Sequence, residues 1–270
     1  MQGQVGKEIN LIVMQYIDSL TRRILARAIF DHMVRHGFVP ARGVLRDVFG
    51  YALQSRIIKV PKNHALHELF REPDPNTYAL GNATLVWLWS YLCKTGPKCI
   101  VEMGSGRSTL VLALYVQKQV QAGMPKPTVI SIESDESWLA ETKKKLDKFG
   151  LTGFVHFIQC KLMDNPASDN NAHGYVIDYE KLDVIINHEG IDLLLIDGPS
   201  GGHGRGATLP SLAERLDVNA DIFLDDASRK KEQESIHAWQ NMFGDSLVLK
   251  GILPLGSGLA RLKLVKKIKS

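Results

Sequence analysis

Hydrophobic and polar positions change their rhythm once along this chain. Between residues 11 and 36, apolar residues return every three or four positions. Val13, Ile17, Leu20, Ile24 and Ala28 therefore share one face of a predicted helix. Gly37 and Pro40 end that segment. Residues 41–72 predict further short helices with basic surfaces, and the REPDPN stretch at 71–76 predicts a loop. A helix follows from about Asn82 to Lys94, carrying Leu85, Trp87, Leu88, Trp89 and Leu92.

From Lys98 short apolar runs alternate with amphipathic segments. The runs are Cys99–Glu102, Thr128–Glu133, Phe154–Gln159, Ile191–Asp197 and Ala220–Asp225, with helices predicted over 108–120, 135–149 and 207–217. This alternation predicts βαβ units and a parallel sheet. Leu193–Ile196 is apolar at every position, as a strand buried on both faces must be. Residues 246–253 and 259–265 flank Pro254-Leu-Gly-Ser-Gly258 and predict an antiparallel hairpin at the sheet edge. The fold class is thus α/β: a doubly wound, mostly parallel sheet with a C-terminal antiparallel hairpin. Residues 1–80 form an N-terminal helical extension and residues 81–270 the main domain.

Composition narrows the function without naming it. The 270 residues, 44% hydrophobic and 23% charged, suit an ordinary globular domain. A net charge of +4 is too mild to call for a nucleic acid, and the basic cluster Lys263, Lys266, Lys267, Lys269 reads as a solvated end. Cys93, Cys99 and Cys160 contain no CxxC pair, which points to reduced thiols in a cytoplasmic protein. The polar N-terminus predicts no signal peptide, and no stretch approaches the roughly 18 apolar residues of a membrane helix.

In open α/β sheets, ligands bind beyond the carboxyl ends of the strands. The first strand ends in Val101-Glu-Met-Gly-Ser-Gly-Arg-Ser-Thr109. Gly104 and Gly106 permit a tight turn and close approach of a ligand, and Ser108 or Thr109 can cap the following helix. Thr109 stands where the dinucleotide fingerprint has its third glycine. Glu102 would repel a pyrophosphate and attract an ammonium or sulfonium. The second strand ends in Glu133, placed to accept the hydroxyls of a ribose.

The runs VEMGSGRST, VISIESDESW, IDLLLIDGP and ADIFLDDASR together resemble the class I S-adenosylmethionine-dependent methyltransferases, over roughly residues 80–270. Within that Rossmann-like superfamily the chain looks most like the small-molecule, catechol-type O-methyltransferases. The resemblance implies S-adenosylmethionine as cofactor. It assigns the glycine loop, Gly104, Ser105, Gly106 and Ser108, to the methionine end, Glu102 to the amino group and Glu133 to the ribose. Cys160-Lys161-Leu162 occupies the place of the family's adenine contact without matching it.

The fourth strand ends in Asp197-Gly-Pro and the fifth in Asp225-Asp226. Three converging carboxylates without a counter-charge repel, and an oxygen-rich set suits Mg²⁺ or another hard divalent cation. The spacing is similar to that of cation-dependent catechol-type enzymes, which implies Asp197, Asp225 and Asp226 as metal ligands; the bland alternative makes them a helix cap and a turn. Asp197 also adjoins the cofactor in that resemblance. The Gly-rich loop after it carries His203, a candidate general base beside Asp197, although the family places such a group closer to the Asp. Arg205 is either an anion contact for a substrate or a solvated side chain. His173, Tyr175 and Tyr179 either wall a substrate pocket or pack on the sheet.

The expected partner is a small-molecule acceptor, with no nucleic acid and no membrane. The N-terminal helices serve as a lid, as a homodimer contact, or as both. Two other readings stay open: a non-catalytic cofactor-binding protein of the same fold, and a nucleotide-cofactor oxidoreductase, which the broken fingerprint and Glu102 disfavour.

Overall fold

The computed structural model describes Val60 and residues 62–71, 79–164, 173–187, 189–199 and 205–268. The extension expected over residues 1–80 lies mostly outside these; residues 62–70, expected as part of a short helix, form consecutive turns. Leu66 and Phe70 of that segment are nonetheless buried in the core.

Seven strands form one sheet in the order β3-β2-β1-β6-β7-β9-β8. They are β1 (Cys99–Met103), β2 (Thr128–Glu133), β3 (His156–Gln159), β6 (Ile191–Ile196), β7 (Leu216–Leu224), β8 (Leu247–Leu253) and β9 (Leu259–Leu264). β1, β2, β3, β6 and β7 pair in parallel, while β9 pairs antiparallel with both β7 and β8. Strands alternate their side chains between two hydrophobic clusters, which is why the central runs are apolar at every position. Ile100, Leu193 and Leu195 face one cluster; Val101, Met103, Leu194 and Ile196 face the other.

Helices cover both faces. The first cluster takes α1 (Asn82–Thr95) and α2 (Arg107–Gln121), with Leu146 of α3 (Glu136–Lys148). The second takes α4 (Tyr179–Ile186), α5 (Thr208–Leu212) and α6 (Lys230–Phe243). The chain runs outward from β1 to β3, then returns to the other side of β1 as β6. That reversal places a switch point between β1 and β6, where such sheets bind ligands. The doubly wound sheet and the C-terminal hairpin both match the expectation from sequence.

Two stretches differ from it. Where no strand was expected, β4 (Lys161–Asp164) and β5 (His173–Val176) pair as a small antiparallel hairpin. Its residues alternate outward and inward, so that Tyr175 is buried and Val176 exposed. The helix expected over 207–217 keeps only Thr208–Leu212, because Leu216 already pairs with Ile191 as the start of β7.

α1 is tied to β7 and β9 by a polar bridge. The Tyr91 hydroxyl donates to Asp221 (2.5 Å), which also accepts from Arg261 (2.8 Å) and Lys263 (3.3 Å). Trp87, Tyr91 and Phe223 pack ring to ring beside it, with centroids 4.9–5.3 Å apart. Lys263, expected to be solvated, is thus recruited into the fold. No helix among the described residues is long and apolar enough to cross a membrane.

Candidate active site

The backbone ladder continues one residue past each strand end. Gly104 N–H donates to Ile132 O, Asp197 N–H to Met103 O, Asp225 N–H to Ile196 O and Cys160 N–H to Glu133 O, all at 2.8–3.0 Å. These bonds set Gly104, Asp197 and Asp225 side by side along the carboxyl edge. A cleft of about 230 Å³ opens there. Its lining includes Gly104, Ser105, Gly106, Ser108, Glu133 and Asp197, six residues that sequence reasoning assigned to the cofactor.

Gly104 is needed on two counts. Its φ is 92°, and a Cβ on it would come within 3.1 Å of Gly198 N and 3.3 Å of Asp197 C. The loops after β1 and β6 touch backbone to backbone at this point, and only glycine allows it. At the start of α2, Thr109 Oγ1 accepts from Gly106 N–H (2.8 Å) and donates to Glu102 Oε2 (2.6 Å). The residue that breaks the dinucleotide fingerprint is therefore a buried brace between the loop and Glu102.

Glu133 anchors the glycine loop. Its Oε2 accepts from Ser105 N–H (2.7 Å) and its Oε1 from Ser134 and Asp135 N–H (2.7 and 2.8 Å). Glu102 does not line the cleft; it lies fully buried beneath the loop. Oε2 also accepts from Ser131 Oγ (2.9 Å), whereas Oε1 has no hydrogen-bond partner among the described residues. Burial pushes the Glu102 carboxyl up to about 7, against the pull of the surrounding hydroxyls. A buried acceptor with an empty lone pair, next to a glycine cradle, suits a cationic ligand group.

Sequence reasoning missed six lining residues: Ala79, Leu80, Arg107, Asp135, Trp138 and Gly198. Arg107 Nη1 donates to Leu80 O (2.8 Å), and its guanidinium lies 4.5 Å from the Phe70 ring centroid. It thereby pins the chain before α1 over the cleft. Trp138 donates its Nε1–H to Ser105 O and lies against Gly106. Its only sequence signal is a position one turn into α3, after the Asp135 cap, whose carboxylate accepts from Trp138 N–H (2.9 Å). Tyr175, left open between pocket and packing, lines the cleft and places its hydroxyl over Gly198. Tyr179 instead donates to Ser211 O and stacks on Arg215. The side chain of His173 and all of His203 lie outside the described residues.

The structure brings Asp197, Asp225 and Asp226 together: one carboxylate oxygen from each lies within 4.8 Å of the others. Of the three, Asp197 alone lines the cleft. Burial, with Asp226 nearby, pushes the Asp197 carboxyl up to about 7, although Arg205 pulls it down. Burial and the adjacent Asp197 raise Asp225 well above the usual carboxylate range. Both sequence readings of Arg205 need correction. It is neither solvated nor free for a substrate anion but 5% exposed, with Nη2 bonded to Asp197 Oδ1 (3.2 Å) and Asp226 Oδ2 (2.9 Å). Its Nη1 donates to the Asp225 carbonyl (2.7 Å). The sequence offered no signal for this, because the fold-back depends on the path of the preceding loop.

Residues 101–227 match the model of a family described as a methyltransferase domain. No curated protein sequence matches the chain. Solved methyltransferase structures share its fold. A methyltransferase from Podospora anserina, SAH-bound, aligns with a TM-score of 0.54 at 16% identity, covering 84% of this chain and 98% of that one. An O-methyltransferase from Bacillus cereus in complex with SAH aligns with a TM-score of 0.53 at 14% identity, covering 76% and 92%. Residues 101–227 thus match a methyltransferase-domain family, and the described chain shares the fold of these two methyltransferases.

Proposed function

We propose that this chain binds S-adenosylmethionine in the cleft along β1, β2 and β6 and transfers its methyl group to an oxygen of a small molecule. The observation that carries this reading is the convergence of Gly104, Ser105, Gly106, Ser108, Glu133 and Asp197 on one cleft. The SAH held by both structural relatives, one of them an O-methyltransferase, supports it.

The cofactor supplies an electrophilic methyl group on a sulfonium. The chain's own residues supply position and charge. Gly104 and Gly106 let the ligand reach the backbone, Glu133 offers its carboxylate to ribose hydroxyls, and Glu102 lies buried beneath the loop that would hold the methionine end. Tyr175 and Trp138 supply the aromatic walls of the cleft. Positioning carries most of the rate in such an in-line transfer. The acceptor's proton goes to a base: Asp197, which lines the cleft, or the sequence candidate His203.

Isothermal calorimetry with SAH tests the reading. The wild-type chain is expected to bind SAH with one site per chain, and Glu133→Gln to weaken it about tenfold or more, since one lost charge-assisted contact is worth roughly 1.5–3 kcal/mol. No binding by the wild type, or equal binding by Glu133→Gln, overturns it.

A further inference from the structure

The catechol-type resemblance implies a divalent cation among Asp197, Asp225 and Asp226, and the folded residues do not fit one. A guanidinium already occupies the centre of the cluster. Arg205 Nη2 lies between Asp197 Oδ1 (3.2 Å) and Asp226 Oδ2 (2.9 Å), and Nη1 is held by the Asp225 carbonyl (2.7 Å). A second cation, Arg229, binds the same Asp226 oxygen at 2.9 Å. Two guanidiniums against three carboxyls leave at most one net negative charge, and adding a dication would turn the cluster net positive. Of the buried side-chain oxygens in the cluster, Asp225 Oδ1 alone has no partner among the described residues. A hard dication takes about six oxygens, and Arg205 already holds one oxygen each of Asp197 and Asp226.

The backbone is shaped to this arrangement. Asp226 adopts φ 59°, the left-handed region, and in that conformation its carboxylate meets both arginines. Arg205 is 5% exposed and cannot be discharged at any working pH, so the positive charge is permanent.

We propose that Arg205 stands in for the divalent cation, so that this domain holds its carboxylate cluster with a built-in guanidinium and takes up no metal ion there. Arg205 is a positioning residue: it acts through Asp197, which reaches the cleft. The acceptor then needs no second oxygen for chelation. A single hydroxyl or carboxylate suffices, and the substrate class widens beyond vicinal diols.

The inference rests on the cleft being a methyl-transfer site, but its test does not. Mn²⁺ binding to the full chain is read by the loss of the free-ion electron paramagnetic resonance signal. The wild type is expected to take up no stoichiometric Mn²⁺ at millimolar concentration. Arg205→Met removes the competing charge and should tighten Mn²⁺ binding about tenfold or more, an effect lost again when Asp225→Asn is added. One Mn²⁺ per wild-type chain, abolished by Asp225→Asn, overturns the inference. So does Arg205→Met that folds, by its melting transition, yet binds no Mn²⁺. Should Arg205→Met not fold, the wild-type measurement decides alone. SAH calorimetry in the presence of EDTA separates the two readings. Loss of SAH binding with or without Mg²⁺ sinks the cofactor assignment, whereas SAH binding restored by Mg²⁺ sinks this one.

Discussion

Replacing Gly104 by alanine tests whether the contact between the β1 and β6 loops builds the cleft. The residue sits at φ 92°, where an L side chain costs roughly 1–2 kcal/mol. The new Cβ would meet Gly198 N at 3.1 Å and Gly198 Cα and Asp197 C at 3.3 Å. All three are main-chain atoms, so no rotamer change relieves the contact. Overpacking of that kind adds roughly 1–3 kcal/mol. The total, about 2–5 kcal/mol, should lower Tm by several degrees to roughly 20 °C. Gly123→Ala is the control, because Gly123 has φ 72° and nothing within 4 Å of its would-be Cβ. It suffers the backbone strain alone. The decisive difference lies in binding. Parting the two loops moves Asp197 and the floor of the cleft, so Gly104→Ala should lose SAH affinity about 100-fold, while Gly123→Ala keeps it. Thermal melting and SAH calorimetry on the two variants check this. Equal melting temperatures together with SAH affinities within about twofold would refute the reasoning.

Two further outcomes follow from the same structure. Burial raises the Glu102 carboxyl to about 7 in the folded chain against 4.5 in the unfolded one, so the folded state holds an extra proton between those values. Stability from this group is full below about pH 4.5 and is lost as pH rises through 7, at up to about 1.4 kcal/mol per pH unit. Urea titrations from pH 5 to 7 should show Glu102→Gln with a visibly shallower fall; an unchanged slope contradicts the buried, neutral Glu102. Tyr91→Phe removes the 2.5 Å donor to Asp221 while Arg261 and Lys263 still hold that carboxylate. It should destabilise the chain by about 1–2 kcal/mol in urea and leave SAH binding untouched, since the bridge lies away from the cleft; weakened SAH binding would contradict that separation.

The fold was legible where periodicity and burial agree. Leu193–Ile196 could only be a strand covered on both faces, and β6 is the centre of the sheet. The Gly-rich link before Leu259 marked the hairpin that β8 and β9 form. Periodicity failed where elements are short and polar. Residues 161–164 and 173–176 pair across an Asn- and Asp-rich connection, and four-residue strands give too few alternations to stand out from a loop. α5 was overlong in expectation because the apolar spacing of Leu209 and Leu212 continues to Leu216, whose side chain is buried as the first residue of a strand.

The site divides in the same way, between what strand ends dictate and what loops decide. A residue that follows a parallel strand must emerge at the carboxyl edge, so Gly104, Glu133, Asp197 and Asp225 could be placed together from order alone. Charge balance could not. Counting carboxylates in sequence leaves three with no partner, and a metal is the natural remedy. Arg205 lies eight positions after Asp197 (205 − 197 = 8), beyond a run of glycines that carries no periodic signal. In the folded chain its guanidinium returns to Asp197 and Asp226 and to the Asp225 carbonyl. The same three aspartates that argue for a cation in sequence argue against an added one in space, because the cation they require is already part of the chain.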